Sequence, residues 1–197
     1  MKNLFRVLLS VITVAVLYLP VNAQKNTFEV RVANHAIGTI EAQRKVNGTA
    51  KSIVIKTRIQ TILSKVNSDI INEYNNNVLT MARSTRVSGS GKSNDDKETT
   101  TRRNGNDYTI ILNGTKLKID NTEIDHCVGE LYFAEPKQVT RIFSETLGRF
   151  LQLRPLGSGE YELVLPEGKK NIYKYLNGTL VQVEVNHTFG KAIFVKI

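Results

Sequence analysis

The chain has one cysteine, no tryptophan, four prolines, three histidines and two methionines in 197 residues. One cysteine closes no internal disulfide, so a staple-stabilised small secreted fold is excluded. Cys and His together number four, and two of them are adjacent at His126 and Cys127, which argues against a structural zinc site. After residue 23 no apolar run approaches 18 residues, so the remaining chain holds no segment that would span a membrane as a helix. Hydrophobic residues make up 41% and charged residues 23%, the balance of a folded domain rather than a disordered one. The 27 Lys and Arg outnumber the 18 Asp and Glu, for a formal charge of +9. These cations are scattered. Arg102-Arg103 is the only Arg-Arg pair and Lys169-Lys170 the only Lys-Lys pair, and no aromatic residues interleave with them as a nucleic-acid stacking surface requires. Nucleic acid is therefore not expected as a partner.

Residues 1–23 read as a cleaved export signal. Lys2 and Arg6 form a positive start, an apolar run extends from Val7 to Leu19, Pro20 ends it, and Val21-Asn22-Ala23 supplies small residues for a cut after Ala23. No cysteine lies near that point to carry a lipid anchor. The expected mature protein is a single β-rich domain over residues 24–197, exported to the periplasm or beyond the cell.

Period-two alternation runs through that domain. Phe28, Val30 and Val32 oppose Glu29 and Arg31; Ile53, Ile55, Thr57 and Ile59 oppose Ser52, Lys56, Arg58 and Gln60; Tyr161, Leu163 and Leu165 oppose Glu160 and Glu162; Val181, Val183 and Val185 oppose Gln182 and Glu184. Asn47-Gly48, Asn104-Gly105, Asn113-Gly114 and Asn177-Gly178 lie between such runs and suit type I′ hairpin turns, which dictate antiparallel pairing. Ser84–Asp107 is polar and reads as two exposed strands joined at a tip. One segment departs from period two: Val139, Ile142, Phe143 and Leu147 follow helical spacing between Pro136 and Gly148, which predicts an amphipathic helix over 136–147. Eleven or twelve strands in one sheet favour closure, so the expected fold is all-β, a large twisted antiparallel sheet curled into a barrel or half-barrel, with a two-sheet β-sandwich as the alternative.

Candidate chemistry is sparse. Gly89-Ser90-Gly91-Lys92-Ser93 superficially suggests a phosphate loop, but position 86 is Arg where that motif needs glycine, and a solvated turn is the better reading. His126 and Cys127 point to opposite faces if they lie in a strand, so they make no catalytic pair, although His35 or His187 are available in principle; a buried inert thiol is expected. Asp120, Glu123 and Asp125 match no calcium-loop spacing. Glu130 and Glu135 are a carboxylate pair of the sort glycoside hydrolysis needs, without the aromatic sugar platform that usually accompanies it. Asn47, Asn113, Asn177 and Asn186 stand in Asn-x-Ser/Thr sequons, three of them explained by turns. No residue is assigned a catalytic, cofactor-binding or metal-ligating role, and no cofactor is expected.

Leu131-Tyr132-Phe133-Ala134-Glu135-Pro136, Ile142-Phe143-Ser144-Glu145, Tyr161 through Pro166, and Asn171 through Gly178 resemble an uncharacterised family of exported proteins found mainly in Bacteroidota. Phe28 to Ile40 is similar to the opening hairpin of that group. The resemblance implies no activity. It implies, by distant analogy with periplasmic proteins built on a curved antiparallel sheet, an apolar small molecule or lipid as partner. The functional expectation is a non-catalytic envelope protein of that kind. A structural or protein-interaction module with a filled core, and an unusual hydrolase, are the alternatives.

Overall fold

A computed structural model of the chain describes residues 22–61, 65–89, 96–187 and 190–197. Among the described residues fourteen strands follow in turn: β1 (Asn22–Val32), β2 (His35–Asn47), β3 (Ala50–Gln60), β4 (Lys65–Asn75), β5 (Val78–Ser88), β6 (Lys97–Asn104), β7 (Asp107–Leu112), β8 (Thr115–Ile119), β9 (Arg141–Ser144), β10 (Arg149–Gly157), β11 (Glu160–Val164), β12 (Lys170–Leu176), β13 (Thr179–His187) and β14 (Gly190–Lys196). They make one sheet in the order β8-β7-β6-β5-β4-β3-β2-β1-β14-β13-β12-β11-β10-β9. Neighbours pair antiparallel throughout, and the last strand lies inside the sheet between β1 and β13.

Turn chemistry explains much of this order. Asn113-Gly114 and Asn177-Gly178 hold positive φ at both positions, between the closing pairs Leu112–Thr115 and Leu176–Thr179, as type I′ turns require. At the other two Asn-Gly sites the turn has shifted by one residue. Asn47 pairs with Ala50 and Asn104 with Asp107, so Gly48 and Gly105 take the first central position with positive φ, the type II′ arrangement. Ala33-Asn34 and Asn76-Asn77 make left-handed turns with no glycine at all.

Period two places one face of the sheet inward. Phe28 and Val30, Ile40 and Ala42, Ile53 and Ile55, Tyr74, Leu79, Tyr108 and Ile110, Leu153, Leu163, Tyr173 and Val183 are all buried on it. Their alternates carry ladders of ion pairs, among them Arg58–Asp69 at 2.6 Å, Arg83–Glu98 at 2.9 Å and Lys174–Glu184 at 2.9 Å. Such pairs on an exposed face contribute little each, but keep it wetted.

The inner face is covered by the connection between β8 and β9, residues 120–140, here called the strap. It contains a short 3-10 turn at Val128–Tyr132. From the β8 edge the strap passes Ile124, whose backbone exchanges hydrogen bonds with Leu79 N and the Tyr108 hydroxyl. It then reaches the middle of the sheet. Asn26 Nδ2 donates to Tyr132 O at 2.8 Å, Tyr175 Oη to Leu131 O at 2.7 Å, and the Phe28 and Tyr132 rings meet edge to face at 5.4 Å. Further along, Glu135 accepts from Tyr161 Oη at 2.9 Å.

Three architectural expectations are corrected. The sheet is open rather than a barrel or half-barrel: β8 and β9 are its two edges and do not pair with each other. The strap takes the place that closure would need, because Phe143 N donates to His126 O and Cys127 bridges Phe143 on the free side of β9. There is one sheet, so the sandwich fails as well. No α-helix spans 136–147. That segment holds a turn, then β9, then a tight turn closed by Gly148 N on Ser144 O at 2.8 Å. Ile142, Phe143 and Ser144 are all buried, since β9 is covered on both faces. Apolar residues on both faces of a strand blur period two into an apparent helical spacing. The segment Ser84–Asp107 does contain strands, β5 and β6, while the tip 90–95 lies outside the described residues.

One interior atom makes a stability prediction. Thr101 is 0% exposed on β6 and its hydroxyl has no hydrogen-bond partner. An unmet buried hydroxyl costs about 1–3 kcal/mol. Thr101→Val removes the hydroxyl at nearly constant shape, so it should stabilise the protein by about 1 kcal/mol, read as a higher urea midpoint with unchanged slope.

Candidate functional site

Two places on the inner face differ from ordinary core. The first is a polar cluster beneath the strap. Glu145, in the turn after β9, is 1% exposed. Its Oε1 accepts from Asn72 Nδ2 on β4 at 2.6 Å and from Gly129 N in the strap at 2.9 Å. Ser84 and Thr146 share a 3.0 Å hydroxyl contact, and Thr99 Oγ1 donates to Thr146 O at 2.8 Å, so the same turn is also fixed to β5 and β6. Burial raises the Glu145 pKa, with the nearby Glu130 adding to it; the bonds from Asn72, Gly129 and its own backbone N–H act against this without cancelling it.

Glu130 sits beside that cluster with a different balance. Its carboxylate is ion-paired to Lys51 on β3, lies 3.6 Å from His126 Nδ1, and accepts from Cys127 N at 3.2 Å. Burial opposes its charge, but the bonds from His126 and Lys51 outweigh burial and lower its pKa. His126 shifts upward in turn, chiefly through its bond to Glu130. The Lys51 ammonium stands over the Tyr74 ring, 4.1 Å from its centre. Burial pushes the Tyr74 hydroxyl and the Cys127 thiol well up, so both stay neutral at physiological pH.

The second place is a cross-strand row beyond the strap, at the end of the sheet that carries the β1–β2 turn. Register aligns Val66 with Ile59, Ile59 with Gly38, Gly38 with Val30, and Val30 with Phe194. Val30 is buried, while Val66, Ile59, Gly38 and Phe194 are half-buried. Val185 on β13 and Leu165 after β11 are half-buried and packed on the same core. Five strands at about 4.8 Å spacing make the row about 19 Å long. The glycine is required by the backbone: a Cβ at Gly38 would lie 2.2 Å from Arg58 O. The row therefore has a gap at its centre where its neighbours have side chains.

The residues singled out from the sequence fall elsewhere or play plain roles. Cys127 is buried and His126 exposed, on opposite sides of the strap. Asp120 pairs with Lys118, Glu123 with Arg103 at 2.8 Å, and Asp125 lies 4.0 Å from His126. Among the described residues no three metal-ligating side chains gather. Glu130 and Glu135 are held by different partners, Lys51 and Tyr161, and do not face one another as a hydrolytic pair. In the glycine-rich stretch, Gly89 donates its N–H to Lys65 O at 2.8 Å and residues 90–93 lie outside the described part. Residues 1–21 of the expected signal also lie outside it, and β1 begins at Asn22, just before the expected cut. No helix among the described residues is long and apolar enough to cross a membrane. Sequence reasoning missed Asn72, Gly129 and Glu145. Asn72 was legible as a polar residue at an inward position between Ile70 and Tyr74; Glu145, at the end of an apolar stretch, carried no comparable signal.

Comparison with known proteins adds fold but not chemistry. The family model described as Domain of unknown function (DUF6134) matches residues 28–197. Among solved structures, the crystal structure of a beta-barrel-like protein of domain of unknown function DUF1849 from Brucella abortus is similar, with a TM-score of 0.52 and 8% identity over 90% of this chain and 96% of that one. At that identity the likeness is one of fold alone. No curated protein matches the chain.

Proposed function

We propose that this chain, which belongs to the family described as domain of unknown function DUF6134, is an exported envelope protein that binds one apolar chain, such as the acyl tail of a lipid, along the row Val66–Ile59–Gly38–Val30–Phe194. The observation that carries the reading is the contrast within one sheet face. Under the strap Phe28, Ile40 and Ile55 are sealed, whereas along this row Val66, Ile59 and Phe194 remain half-buried on either side of the buried Val30, and the row is apolar at every position. The row is about 19 Å long, the length of an extended hydrocarbon chain. The positive start and apolar run of residues 1–23 support delivery to a compartment bounded by membranes.

The test is native mass spectrometry of protein purified without detergent from its own envelope, beside titration with a pyrene-labelled long-chain fatty acid. The expected result is a co-purifying lipid-sized mass and saturable fluorescence. Val66→Lys, which sets a charge in the row at a half-exposed position, should weaken the titration at least tenfold and leave the thermal midpoint within a few degrees. A clean protein mass together with no saturable signal would overturn the reading and leave the interaction module with a filled core as the better one.

A further inference from the structure

Among the bonds that tie the strap to the sheet, one set converges on a buried carboxyl group. Glu145 lies in the turn after β9; its Oε1 receives Gly129 N from the 3-10 turn of the strap and Asn72 Nδ2 from β4. The same atom therefore joins three segments far apart in sequence. Space around it is tight, since a Cβ on Gly129 would fall 2.9 Å from Glu145 Oε1 and 3.1 Å from Asn72 Nδ2. Asn72 Oδ1 is buried with no partner, an acceptor that the neutral acid can serve by a small shift and the carboxylate cannot. Among the described residues no cation pairs with the carboxyl.

We propose that Glu145 is a proton-gated latch on the strap: with its proton it holds residues 124–133 against the sheet, and on losing it the strap opens more readily and uncovers Phe28, Ile40 and Ile55. The inference is independent of any guest in the outer row. A buried carboxyl that keeps its proton favours that proton in the docked state, so docking is strongest below the ordinary carboxylate range and weakens as pH rises toward the raised value of Glu145. The titratable neighbours act elsewhere. Glu130, lowered by His126 and Lys51 against its burial, affects docking only below the ordinary carboxylate range, with opposite sign. His126, raised mainly by Glu130, acts only above its own ordinary value of 6.5. Tyr74, Tyr132, Tyr173 and Cys127 are pushed upward by burial and stay neutral throughout.

Amide hydrogen exchange at residues 124–133 between about pH 5 and 6.5, corrected for intrinsic rates, tests the latch in the full chain. Opening should rise up to about tenfold per pH unit in the native protein. In Glu145→Gln, which keeps the shape and cannot ionise, opening should be independent of pH. Equal slopes in the two proteins would overturn the proposal. Should the variant fail to fold, the carboxyl carbon shift of Glu145 in the native protein decides instead. Titration in the ordinary carboxylate range overturns the proposal, and a midpoint above it, tracking the exchange, supports it.

Discussion

Phe28→Ala should remove about 3–5 kcal/mol of stability, the largest loss expected from any single truncation in this protein. Phe28 is 0% exposed on β1, the strand that joins the two ends of the chain at the middle of the sheet. Its ring packs edge to face on Tyr132 of the strap at 5.4 Å, so truncation leaves a cavity and also removes an aromatic pair worth about 1 kcal/mol beyond its area. The loss is a large fraction of the roughly 5–15 kcal/mol by which domains are stable. Measured by urea denaturation, it should appear as a large fall in midpoint, or as failure to accumulate folded protein. A cost under about 1 kcal/mol would mean that the strap does not rest on β1.

Gly38→Ala should cost about 3 kcal/mol or more for a different reason. The new methyl would lie 2.2 Å from Arg58 O and 2.8 Å from the Ile59 Cα, both backbone atoms of β3. A side chain can rotate away from such a clash, but a paired strand cannot without breaking its ladder. Opposite the Val30–Arg31 step of β1, β2 carries one extra residue, Ile37, beside Gly38, so the glycine marks the place where the sheet departs from regular pairing. Thermal unfolding of this variant should show a drop of ten degrees or more. A change of a degree or two would contradict the close approach of β2 and β3.

The strands and their antiparallel order were legible in the sequence because both are local. Alternation at Phe28–Val32, Ser52–Ile59 and Val181–Val185 depends on neighbours two residues away, and a two-residue turn leaves its flanking strands one way to pair. The turns at Ala33-Asn34 and Asn76-Asn77 were less visible, since their left-handed residues carry no glycine. Closure was misread because it depends on what the chain does between β8 and β9. A segment with Ile124, Cys127, Leu131 and Phe133 spaced irregularly has no period to announce that it covers a sheet. The same cover buries both faces of β9 and produced the false helix at 136–147. The polar cluster was hidden for a related reason. Asn72, Gly129 and Glu145 meet only once the strap is down, and single-sequence spacing does not encode that encounter. The outer row was half visible: Ile59 and Val30 stood out as inward positions, but their alignment with Phe194 required the pairing of the two chain ends.

The strap lying across the inner face of an open sheet is the central feature of the fold. Nuclear Overhauser contacts between the Phe28 and Tyr132 rings, in protein with these rings selectively labelled, test it most directly. The 5.4 Å separation of the ring centres predicts strong cross-peaks, and these should vanish in Tyr132→Leu while the β1–β2 pairing contacts persist. Absence of the cross-peaks in the folded native protein would place the strap elsewhere and contradict the account.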